Sequence, residues 1–74
     1  MHATMIHLRN ESEREAIRHL NALISVLHRA GVERWTTSLP KGKGAIVIAK
    51  GDIRGLEELD YVERTEKIEV TSWN

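Results

Sequence analysis

The sequence has no cysteine, no phenylalanine, one proline, two tryptophans and one tyrosine, and its charges cancel. Without cysteine there is no disulfide, zinc ribbon, iron-sulfur cluster or thiol nucleophile. Eleven Lys plus Arg balance eleven Asp plus Glu, so the chain as a whole has no long-range field to draw in nucleic acid or an anionic membrane. No apolar run approaches the roughly 20 residues of a membrane span. The start Met1-His2-Ala3-Thr4-Met5 lacks the basic region and apolar stretch of a signal peptide. A cytoplasmic protein with no membrane partner is expected. Seventy-four residues leave room for one domain. Such a chain buries only about 60% of its unfolded surface, so it depends on one well-patterned core or on association.

What is present is a clear succession of patterns. Met5 to Arg9 alternates, with Ile6 and Leu8 on one side and Met5, His7 and Arg9 on the other, which predicts a strand with one wet face. The alternation opens at Met5, so residues 1–4 are expected to be a disordered leader and residues 5–74 the domain. Ser12 and Glu15 form a capping box, Glu11, Glu13 and Glu15 suit the positive end of a helix dipole, and Gly31 is a stop. Between them, Ala16, Leu20, Leu23, Leu27 and Ala30 make one apolar stripe at 100° per residue. A helix over about 12 to 30 follows.

Glu33 to Leu39 alternates Trp35, Thr37 and Leu39 against Arg34, Thr36 and Ser38 and ends at Pro40, an edge strand. Pro40-Lys41-Gly42-Lys43-Gly44 reads as a hairpin turn into Ala45-Ile46-Val47-Ile48-Ala49-Lys50, apolar on both faces and so central. Asp52 is placed to cap a short second helix carrying Ile53, Leu56 and Leu59, with Gly55 a cost of about 1 kcal/mol against Ala inside it. Glu63 to Trp73, with Ile68 and Val70 opposite Glu69 and Thr71, reads as a charged edge strand. The expected fold is α+β: a ferredoxin-like βαββαβ two-layer sandwich, two helices on one face of a four-stranded antiparallel sheet, strands one and three central.

Gly42 to Asp52, with Leu59-Asp60-Tyr61-Val62-Glu63, resembles the small ferredoxin-like N-terminal domain of one class of 3-deoxy-D-arabino-heptulosonate 7-phosphate (DAHP) synthase. In that family an apolar strand ends in Gly-Asp and a Leu-Asp-x-Val-Glu turn leads into the last strand. Amino-acid-binding ACT domains share the order and a similar turn. The resemblance covers nearly the whole chain and implies a regulatory module, with allosteric control of a catalytic barrel by an aromatic amino-acid effector held between such domains. The barrel of about 250 residues has no place in this sequence, so the synthase chemistry is not expected. In the family a histidine joins hydroxyls around the second strand. Trp35-Thr36-Thr37-Ser38-Leu39 keeps only the hydroxyls, and no ligand residue carries over.

Other chemistry finds little support in the residues. His19 and His28 stand nine apart and point to opposite sides of a helix, so they share no ion, and His19 is spaced to meet Glu15. No metal or cofactor is expected. Strands one and three offer no aromatic platform for bases. There is no G-x-S-x-G and no distinctive pair of carboxylates. Acylphosphatase, the small enzyme that shares this fold, needs a glycine-rich anion loop after strand one, where this chain has the acidic Asn10-Glu11-Ser12-Glu13-Arg14-Glu15. No enzyme is expected.

The sheet face away from the helices is the remaining candidate. The alternation places Ala45, Val47 and Ala49 there, ringed by Met5, His7, Thr36, Ser38, Thr71 and Trp73. A floor of small apolar groups with a polar rim suits a homodimer or a protein partner. Trp35 belongs to the core beneath the helix. Three readings stay open: a regulatory module like the synthase domain, a freestanding interaction factor or inhibitor encoded by a mobile element, and an engineered scaffold.

Overall fold

The computed structural model describes residues 1–9, 12–40 and 44–73. The element order is β1 (His2–Leu8), α1 (Glu13–Arg29), β2 (Trp35–Ser38), β3 (Ile46–Lys50), a 3₁₀ turn (Leu56–Glu58) and β4 (Val62–Glu69). The four strands form one antiparallel sheet in the order β2-β3-β1-β4. The two most apolar strands are therefore interior, and the Pro-ended and charge-rich ones are at the edges.

Helix α1 begins and ends where its caps dictate. The Ser12 hydroxyl accepts from the Glu15 amide at 3.2 Å, satisfying one of the first-turn donors that have no partner inside the helix. At the other end Gly31 takes φ +82°, the Gly31 amide donates to the His28 carbonyl and the Val32 amide to that of Leu27. That pair of bonds is a Schellman motif. Between the caps, Ala16, Leu23 and Leu27 are buried and Leu20 packs beside them. They meet Ile6, Leu8, Ala45, Val47 and Ala49 of the sheet in one core.

Two expectations about elements are corrected. Residues 2–4 are part of β1 and not a leader: Ala3 and Thr4 are buried, and His2 to Leu8 pair with β4. The Thr4 hydroxyl donates to the Gly51 carbonyl at 2.8 Å and accepts from the Ile53 amide at 3.1 Å. The alternation from Met5 onward missed this because Ala3 and Thr4 carry too little apolar signal. The second correction concerns Asp52 to Leu59, where one 3₁₀ turn replaces the predicted helix. Gly55 precedes that turn with φ +83°, a left-handed conformation that interrupts right-handed helix. Asp52 is engaged elsewhere, its carboxylate 3.0 Å from Lys67 Nζ and 3.5 Å from Arg54. Leu56 is still buried and Ile53 and Leu59 pack against the core beside it, so the three apolar anchors of the expected stripe remain without the helix. The layer over the sheet is thus one helix and one tethered loop.

The predicted hairpin tip Lys41 to Lys43 and the residues Asn10 and Glu11 lie outside the described residues.

Candidate functional site: the open face of the sheet

In an antiparallel sheet, residues directly opposite one another share a face. Ile6 pairs with Val47 and Thr4 with Ala49, and the Leu8 amide donates to the Ala45 carbonyl at 2.9 Å. These six residues are all buried, so their side is the one beneath α1. Trp35 and Thr37 join it from β2, opposite Ala49 and Val47.

The other parity forms the open face in three rows. Thr36, Ile48, Met5 and Glu66 make one row, and Ser38, Ile46, His7 and Arg64 a second. Lys50, Ala3 and Ile68 make the third, and the Lys50 amide donates to the Arg34 carbonyl at its β2 end. Met5, Ile46, Ile48 and Ile68 are half-buried and contiguous, an apolar band running obliquely across β3, β1 and β4.

This corrects the predicted floor. Ala45, Val47 and Ala49 are wholly buried under α1 and are not available to a partner. Met5, His7, Thr36 and Ser38 do lie on the open face. Thr71 is exposed beyond the end of β4, and Trp73 is half-buried in a shallow depression it lines with Glu33, Arg34 and Trp35. A strand apolar at every position has no phase of its own, so alternation within β3 does not fix which residues face α1. Phase comes from the partner strand, where Ile6 and Leu8 are core residues, and the register carries it across to Val47 and Ala45. The two small alanines lie in the core with Leu23 and Leu27, while the bulkier Ile46 and Ile48 are half-buried on the other face.

Electrostatics mark one corner of the face. His7 Nε2 is 3.1 Å from Glu66 Oε2 and Arg64 is 3.7 Å from the other carboxylate oxygen. The His7 hydrogen bond, with Arg64 beside it, holds the Glu66 carboxyl below its usual range. The remaining histidines have separate surroundings. His2 lies 3.0 Å from Glu69. His19 stacks on Tyr61 with ring centroids 5.3 Å apart, and its Nδ1 is 2.7 Å from the Arg9 carbonyl. Among the described residues no three His, Asp or Glu side chains gather as a metal site would need, and no helix is long and apolar enough to cross a membrane.

No family model, curated protein or solved structure matches the chain.

Proposed function

We propose that this chain is a non-catalytic binding or regulatory module of ferredoxin-like descent, its second helix reduced to a turn, that works by covering its open sheet face with a second copy or another protein. The observation that carries the reading is the band Met5, Ile46, Ile48 and Ile68, four large apolar side chains that lie together, half-buried, on the sheet face away from α1. Apolar area removed from water stabilises by about 25 cal/mol per Å². A domain this small has much to gain by covering such a face. A cytoplasmic setting and a regulatory role akin to that of the DAHP synthase domain belong to the same proposal.

The test is a substitution at the centre of the band. Ile48→Asp puts a charge on the open face without touching the core beneath α1. It should abolish self-association or partner binding while circular dichroism stays that of the folded chain. Undiminished association by Ile48→Asp would refute the reading.

A second reading has its own observation. Trp35 and Trp73 line one depression with Arg34 and Glu33, indoles flanked by opposite charges, which suits an aromatic amino-acid effector. Such an effector should raise the melting temperature, and Trp73→Ala should remove the effect.

A further inference from the structure

The open face is not neutral although the chain is. Its rows hold Lys50 and Arg64 with one carboxylate, Glu66, already engaged by His7 and Arg64. Arg34 precedes β2 on the parity of Thr36 and Ser38, and is exposed. Among the described residues, these three cations stand against Glu66 within the rows and Glu63 at the rim of the His7–Arg64 corner. On the other side acids and cations are mixed, with Arg14, Arg18 and Arg29 on α1 and Arg54 and Lys67 beside the acids of the loop. Asp52 pairs with Lys67 and Glu57 accepts from the Thr65 hydroxyl; Lys67 and Thr65 share the α1 side of β4 with Thr4 and Ile6. Glu58 and Asp60 lie in the same loop.

We infer that the occupant of the open face is an acidic amphipathic helix of another protein, apolar along one stripe and flanked by Glu or Asp. The inference rests on the open face being the interface, and adds the chemistry of what covers it. Two copies placed face to face would bring together two faces that each carry an excess of cations, and like charges across an interface oppose binding. A nucleic acid would satisfy the cations but not the isoleucines, since the rows hold no Phe, Tyr or Trp to make a stacking platform for bases. A helix with leucines at three- and four-residue spacing satisfies both. Four strands at about 4.8 Å spacing give a floor of roughly 14 Å, wide enough for a helix of about 10 Å diameter. The apolar band takes its stripe, and the cations on both sides of the band meet its acidic flanks.

The experiment uses the full chain and two synthetic peptide helices of about 15 residues, roughly 22 Å long, with identical leucine stripes. One is flanked by glutamates and the other by lysines, and a single-stranded oligonucleotide is the third arm. Affinity is read by fluorescence anisotropy and the contact face by amide chemical-shift mapping. The glutamate peptide should bind about tenfold or more tightly than the lysine peptide, weaken several-fold between about 50 and 500 mM salt, and shift Met5, Ile46, Ile48 and Ile68. Lys50→Glu, an exposed change whose fold is checked by circular dichroism, should remove most of the preference. Equal or reversed preference, no binding of either peptide, or tighter binding of the oligonucleotide would overturn the inference. Self-association through the open face at tens of micromolar would overturn it too, yet leave that face as the interface. Shifts confined to α1 would overturn both.

Discussion

Thr4 does more for the fold than its place in the sequence suggests. Its hydroxyl is a donor to Gly51 and an acceptor from Ile53, and at 3% exposure it has little water to turn to. Thr4→Val keeps the shape but leaves a carbonyl and an amide without their partner. An unsatisfied buried group costs about 1 to 3 kcal/mol, so the urea midpoint should fall by a corresponding amount with an unchanged slope. A contrast between neighbours on β3 is sharper. Val47→Glu would bury a carboxylate among Ile6, Leu23 and Leu27. An unpaired buried charge costs about 3 to 5 kcal/mol, against a total stability of about 4 to 11 at 0.05 to 0.15 per residue. Circular dichroism should find it largely unfolded and Ile48→Asp folded. That contrast also marks the limit of sequence reading at this scale. Ala16, Leu23 and Leu27 were legible as core because helical spacing fixes a side, whereas Ala45 to Ala49 are apolar throughout and give no phase. Lys50, Arg64 and Glu66 were legible as residues but not as neighbours, since only the β1–β3 and β1–β4 registers bring them to one face.

At the scale of elements, caps and strand order were readable and the second helix was not. Ser12, Gly31 and the stripe between them agree on one answer for α1, and local agreement of that kind is what makes an element predictable. Ser12→Ala should cost about 1 kcal/mol, measured as a lower melting temperature. Residues 52–61 offered conflicting signals: a capping residue and three apolar positions for a helix, Gly55 against it. The tertiary partners decided. β4 presents Thr65 and Lys67 on the α1 side, polar groups that a helix with an apolar stripe would bury without reward, and the loop brings Glu57 and Asp52 to them instead. The hydrogen bond from Lys67 holds the Asp52 carboxyl below its usual range, and the Thr65 hydroxyl does the same for Glu57. A carboxyl depressed in the folded state adds stability that is present above its unfolded value and lost as pH falls through the folded one. Stability should therefore decline on acidification below about pH 4 to 4.5. Asp52→Asn should flatten that decline and lower the neutral plateau by the same amount, a small one because these groups are exposed and screened. An acid limb identical to that of the parent chain would show that the Asp52–Lys67 pair does not hold the loop.

For the molecule as a whole, the distribution of charge between faces matters more than its sum. Eleven positive and eleven negative side chains suggest an inert surface only if they are mixed. Here the α1 and loop layer mixes acids with Arg14, Arg18, Arg29, Arg54 and Lys67, whereas the rows of the open face hold Arg34, Lys50 and Arg64 against Glu66, so the excess of positive charge is local to that face. A domain with a buried core on one face of its sheet and a half-buried apolar band on the other should also respond to whatever covers the band by mass action. A ligand at about 100 times its dissociation constant stabilises the folded state by about 2.7 kcal/mol, and for a chain of this size each kcal/mol raises the melting temperature by about 4 to 8 °C. Covering the band at that saturation should therefore raise it by roughly 10 to 20 °C. If the occupant is a second copy, the melting temperature should climb with the protein's own concentration over a hundredfold dilution series. If the occupant is an acidic helix, dilution should leave it constant, the glutamate-flanked peptide should raise it, and salt should erase the gain. A rise with dilution-dependent self-association that Ile48→Asp removes would assign the band to dimerisation, and the positive excess of the open face would then serve something other than partner choice.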